Sequence, residues 1–237
     1  MGISLMSSLL NLLQLTSPAL PLGAYNYSEG LETLVEQQQI ADAAQLGRWL
    51  EMELQFGAIA VEGAILVRAY QALLNSDIAT LVYWNQWLTA SRDSRELQQQ
   101  SWQMGNSLLR LLADLLADLE EISPQLPSLA DCRRELAPNC NLAIAYALAV
   151  AHWKIPLEDA ILGYLHSWSS NLIGAGVKLI PLGQTSGQRL IQELQPVLEA
   201  CCQRLLSLGD EDLFACTWGA SFASMQHETL YSRLFRS

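Results

Sequence analysis

Leucines at three- and four-residue spacing run through almost the whole chain, and this pattern restricts the fold more than any other feature. Side chains three and four residues apart share one face of a helix, whereas a strand places every second residue on one face. Alternating runs of Val, Ile and Thr of the kind a sheet requires are missing. The expectation is an all-α fold, a helical bundle of roughly nine to ten helices with no significant sheet.

Local signals place the helices. Asn26-Tyr27-Ser28-Glu29 and Asp93-Ser94-Arg95-Glu96 have capping-box spacing, and Asn139 follows Pro138 ahead of an apolar run. Pro156, followed by Glu158 and Asp159, sets a proline and two acids in a first turn, where the helix dipole favours negative charge. These signals predict helices at about 3–15, 27–38, 42–74, 77–91, 94–119, 140–153, 157–179, 186–207 and 211–233. Two proline-containing segments interrupt them, 17–23 and 123–138. The second is the candidate linker, but the helices on both sides share one leucine-rich composition, so residues 1–237 are expected to form a single domain.

Composition excludes several function classes. The chain is 51% hydrophobic and only 16% charged, enough apolar residue for a large core with neutral surface left for partners. A formal net charge of -11 and no dense Lys/Arg cluster argue against nucleic-acid binding. The start of the chain lacks the basic region and cleavage site of a signal peptide, and no uninterrupted apolar run of membrane-spanning length is expected, so the sequence reads as cytoplasmic with no membrane association. Cys132, Cys140, Cys201, Cys202 and Cys216 include no C-x-x-C pair and read as reduced thiols.

Catalytic and metal motifs are missing. The sequence has no P-loop, no G-x-S-x-G and no H-E-x-x-H, since the pair His227-Glu228 has no second histidine four residues on. His152, His166 and His227 are not spaced to share a metal from one helix, and adjacent Cys201 and Cys202 point to different sides of theirs. Neither an enzymatic activity nor a resident cofactor is expected.

Four segments stand out. Ser17 to Glu32, SPALPLGAYNYSEGLE, has two prolines holding an extended turn that ends in two tyrosines; on the residues alone, these cover a core. Gly105, inside the helix opened near Asp93, costs about 1 kcal/mol relative to alanine and calls for a closely packed neighbouring helix. Asn171 to Gln184, NLIGAGVKLIPLGQ, carries Gly174 and Gly176 on a thinned face and Lys178 near a helix C-terminus, where the dipole favours a cation. The ending His227 to Ser237, HETLYSRLFRS, would, if helical, pair Leu230 with Leu234 and Tyr231 with Phe235, and it adds Arg233 and Arg236 to an acidic chain.

In this order, the four segments resemble the signature blocks of the urease accessory F family, and the likeness runs from about residue 8 to the end of the chain. Asn26, where the family often has serine, is a minor departure. The resemblance implies a helical, dimeric scaffold that binds an accessory protein called D or H and a nickel-carrying GTPase called G, and presents them to apo-urease for nickel insertion. It implies that the tail, including His227, Glu228, Tyr231, Ser232, Arg233, Leu234 and Phe235, docks on the D/H protein. It also implies that Tyr25, Tyr27, Glu29, Lys178 and Gln184 face partners, with the G protein the candidate for the first four. Three other readings remain open: an adaptor or regulator of a different GTPase, a helical hydrolase using Glu62, His152 or His166, and a metallochaperone holding nickel through cysteines and histidines.

Overall fold

The computed structural model describes residues 5–116 and 125–236; the expected helix limits at residues 3–4 and 117–119, the first two residues of the candidate linker, and Ser237 lie outside them. Among the described residues, the only regular elements are helical: α1 (Leu5–Leu15), α2 (Leu31–Glu36), α3 (Ala43–Phe56), α4 (Ala58–Leu74), α5 (Ile78–Ala90), α6 (Arg95–Leu116), α7 (Leu129–Leu136), α8 (Leu142–His152), α9 (Leu157–Leu179), α10 (Gln184–Glu193), α11 (Gln195–Ser207) and α12 (Trp218–His227), with short 3-10 turns at Ala24–Asn26 and Asp210–Asp212. The all-α expectation holds.

The bundle is organised around α8 and α4. Residues Ala143 to Val150 are buried on every side of α8, the condition of a helix apolar all round. It packs against α4 on one flank and α6 on the other, while α3, α9 and α11 close around α4. Buried apolar side chains from Leu15 to Phe235 form one contiguous cluster. Gly105 of α6 lies where the chain enters α8, with the carbonyl oxygen of Cys140 only 2.1 Å from where a Cβ would sit, so the expected close neighbour exists. Gly176 likewise receives Leu46, but Gly174 has open space beside it and thins no helix contact.

Several expected boundaries move, for identifiable reasons. The predicted helix 42–74 breaks at Gly57, whose extended backbone separates α3 from α4. The predicted helix 186–207 begins earlier, at Gln184, and divides at Leu194, with Pro196 in the first turn of α11. A helix, α7, occupies the candidate linker: Ser128 accepts a hydrogen bond from the Asp131 amide at its start, and the surrounding prolines bound it rather than break it. Asn26 caps nothing, because helix α2 starts only at Leu31, after Gly30 at φ 86°. The stretch Ala43–Leu74 is long and apolar enough to cross a membrane by length and composition, contrary to the sequence expectation, but 72% of its most apolar part is buried inside the protein.

Glu53, near the end of α3, is buried with Thr217 donating to its carboxylate at 3.2 Å. Burial pushes its pKa up to about 8, against the Thr217 hydrogen bond and with help from Glu29 and Asp93. The folded protein therefore retains a proton that the unfolded chain releases near pH 4.5, and stability falls as pH rises from there towards about 8. Glu53→Gln is expected to stabilise the fold by on the order of 2 kcal/mol at pH 8 and by little at pH 5. Urea denaturation of both proteins at the two pH values checks this; a gap that does not shrink at pH 5 counts against it.

Candidate functional site

Beyond α12 the chain leaves the helix and lies as a strap across α2 and α6. His227, the last residue of α12, is fully buried between two carboxylates: its Nε2 is 3.1 Å from Glu32 and its Nδ1 2.8 Å from Glu96. Glu32 also accepts from the amides of Leu234 (2.7 Å) and Phe235 (3.0 Å), and Arg233 pairs with Glu96 at 2.7 Å. The Arg236 amide donates to the Asn26 carbonyl at 2.8 Å.

This arrangement corrects the expected helix through residue 233. Amides that a helix would bond to the residue four back are held by Glu32 instead, so the pairs Leu230–Leu234 and Tyr231–Phe235 do not form. Phe235 turns inward, 5% exposed, with the Lys178 ammonium 5.4 Å from its ring centre. Tyr231 stands fully in solvent and Leu234 is 65% exposed, beside exposed Glu228, Ser232 and Arg233.

The signature segment meets this strap from the other side. Tyr27 is buried beside Arg236, and burial raises its phenol pKa. Tyr25 projects outward, whereas Glu29 points in, taking hydrogen bonds from Trp168 and Gln100, both at 2.8 Å. Tyr25, Tyr27, Lys178 and the tail thus form one neighbourhood, although sequence reasoning assigned them to two surfaces. Gln184 is exposed at the start of α10, and no contact of it with the strap is found among the described residues.

Glu29 opens onto a half-open cavity of about 600 Å³ between α9 and the turn at residues 16–25, with residues of α4, α6, α8 and α10 completing its walls. At its floor Arg92 pairs with Glu62 at 2.5 Å and donates to Ser101 at 3.0 Å, while Tyr164 donates to the same Glu62. Burial raises the Glu29 pKa, as does neighbouring Glu62; Arg92, despite burial, is held charged by Glu62. Burial likewise drives the Tyr164 phenol upward, so it remains a donor.

Sequence reasoning missed Glu32 and Glu96, although both lie inside segments it singled out. Glu32 closes the N-terminal block and Glu96 follows Arg95; the expected capping role of Glu96 goes unused because Ser94 caps α6 by accepting from Leu97 at 3.2 Å. Glu62 and His166 both line the cavity, as the hydrolase reading requires, but the Glu62 oxygens are taken by Arg92 and Tyr164, and His152 lies elsewhere with its ring at the Leu148 carbonyl. Among the described residues, no group of three or more His, Cys, Asp or Glu is arranged to hold a metal. Cys201 and Cys202 are buried and turned to different carbonyls, those of Leu54 and Glu158, and burial lifts the Cys202 thiol to about 11, away from the thiolate a metal needs.

The sequence model of the UreF family matches residues 40–195, from the approach to α3 to the junction of α10 and α11. Over nearly the full chain, the sequence is similar to proteins named urease accessory protein UreF. The protein from Trichormus variabilis is 53% identical over 228 residues, 96% of this chain and 95% of its own length. The one from Nostoc sp. is 54% identical with the same coverage, and the one from Synechocystis sp. is 50% identical over 98% of both chains.

Proposed function

The chain belongs to the UreF family of urease accessory proteins, and from that membership we propose that it is a cytoplasmic, non-enzymatic scaffold of urease maturation, bridging the D/H accessory protein and the nickel-carrying GTPase G and coupling the GTP cycle to nickel delivery into apo-urease. Nickel is cargo in this reading, not a resident cofactor. The chain acts as one unit, in a homodimer, with the tail as its docking element.

The strap carries the reading. It is fixed to the body by Glu32 and Glu96 while Tyr231 and Leu234 are held outward, the disposition of a preorganised docking element. Phe235 anchors the strap rather than touching the partner. Beside it, α12 exposes Trp218, Phe222 and Met225 at i, i+4 and i+7, an apolar stripe of the kind that packs into a partner's groove. Tyr25 and Lys178, with Tyr27 and Glu29 supporting them from beneath, form the face assigned to the G protein.

Co-purification with the cognate D/H and G proteins tests the proposal. Full-length protein is expected to capture both, and a chain ending before His227 to lose the D/H protein. Because that truncation also removes buried Phe235, the paired substitution Tyr231→Ala with Leu234→Ala is the sharper variant. Both side chains are exposed, so the fold should be retained while D/H capture weakens at least about tenfold. Undiminished capture by the double variant would remove the docking role, and failure of full-length protein to bind either partner would remove the scaffold.

A further inference from the structure

His227 is fully buried where the strap leaves α12, between acceptors on both sides of its ring. Its Nδ1 lies 2.8 Å from Glu96 Oε2 and its Nε2 3.1 Å from Glu32 Oε2. The other carboxylate oxygens already accept: Glu32 Oε1 from the Leu234 amide and Glu96 Oε1 from Arg233, while Glu32 Oε2 also takes the Phe235 amide. A hydrogen bond needs a proton between its two heavy atoms, so the two ring contacts need two protons. A neutral imidazole supplies only one and turns a lone pair towards the carboxylate on its other side.

The surrounding charges require the same proton. Helices α2 and α6 and the strap pack around His227, and among the described residues they bring Glu32, Glu96 and Arg233 to it. Glu36, Arg95 and Glu228 on the same elements are exposed. Further out, Asp93 is taken up by Ser221, Lys178 stands over Phe235, and Arg236 lies beside Tyr27. With two ring protons, two carboxylates face two cations; with one, a negative charge is left over beside a fully buried ring. We propose that the strap is a proton-dependent clasp, closing on an imidazolium at His227 and opening when that ring loses a proton. A freed imidazole is neutral above about pH 6.5, so above that pH closing takes up a proton and rising pH favours the open form. Opening removes the fixed outward pose of Tyr231 and Leu234. Control of partner capture by the clasp rests on the docking reading above, whereas the opening itself does not.

Hydrogen exchange on the full-length chain reads the clasp. Each rate is divided by that of an unstructured chain at the same pH, which removes the base catalysis of exchange itself. Between about pH 6 and about pH 8.5, protection of the Leu234 and Phe235 amides is expected to fall at least about tenfold more than that of α4 and α8. His227→Gln keeps a donor for one carboxylate but does not titrate, so its strap should be loose at both pH values with no fall of its own. Glu53 is unchanged in that variant, so any pH dependence due to Glu53 remains and is separated from the clasp. Nitrogen-15 spectra of the imidazole rings give a second readout in the unsubstituted protein. The chain has three histidines, so the His227 signals are identified by their loss in His227→Gln, and both ring nitrogens should be protonated at about pH 6. Strap protection that follows α4 and α8 at both pH values, an equal fall in His227→Gln, or an unprotonated His227 nitrogen in the closed protein would each overturn the clasp. Both measurements use the protein without a partner, so the clasp is judged apart from the docking role.

Discussion

Glu32→Ala is expected to release the C-terminal strap while leaving the bundle folded. One carboxylate, 9% exposed, holds the His227 ring and the amides of Leu234 and Phe235, so its removal orphans three buried or half-buried donors at once. Each such donor costs about 1–3 kcal/mol, and a strap held mainly by these bonds has little else to retain it. Apart from Phe235, the residues of 228–236 are exposed or only half-buried, so the apolar contribution is small. Hydrogen exchange should show the protection of the Leu234 and Phe235 amides falling by about 100-fold or more, with α4 and α8 unaffected. Capture of the D/H protein should weaken in parallel, since the outward pose of Tyr231 and Leu234 is lost. Arg233→Ala gives the scale: its ion pair with Glu96 is 39% exposed on the arginine side and worth about 1 kcal/mol or less, so the strap should loosen only slightly. Unchanged protection in Glu32→Ala would mean that Phe235, the Arg233–Glu96 pair and the Arg236 amide bond to Asn26 hold the strap without Glu32.

What the sequence revealed and what it concealed divide along the range of the interactions. Helical class follows from leucine spacing, which is local, and so do the start of α9 behind Pro156 and the close approach at Gly105. The breaks at Gly57 and Leu194 were harder to read, because the leucine period continues across them and only tertiary packing decides whether a helix bends there. The tail was misread for a related reason. Its leucine and aromatic spacing suits a helix, but a carboxylate about two hundred residues away in sequence takes its amides. Glu29 illustrates the same conflict: it stands where a capping box would use it, yet its backbone turns to φ 53° and its side chain goes to Trp168 and Gln100. The cavity floor had no sequence signal, since Glu29, Glu62, Arg92 and Tyr164 come from separate parts of the chain and no motif joins them.

Gly105→Ala and Gly174→Ala are the same chemical change and are expected to act in opposite directions. Both lie inside helices, so alanine should favour each by about 1 kcal/mol through helix propensity alone. At Gly174 nothing opposes that gain, because the new methyl enters open space. At Gly105 the methyl would sit 2.1 Å from the Cys140 carbonyl oxygen and 2.7 Å from the Asn141 carbonyl carbon. These are backbone atoms and cannot rotate aside as a side chain would. Asn141 is also fixed from the far side, donating from its amide to Asn85 at 2.9 Å and from its side chain to Thr89 at 2.8 Å. Relief therefore requires α6 to move off the start of α8, loosening the Leu142 amide from Ser101 and opening one of the two main crossings of α8. The net loss should be about 3 kcal/mol or more, measured by urea denaturation against the unsubstituted protein, while Gly174→Ala should gain up to about 1 kcal/mol. If the two variants shift stability alike, propensity governs both positions, and the α6–α8 crossing is looser than its backbone contacts require.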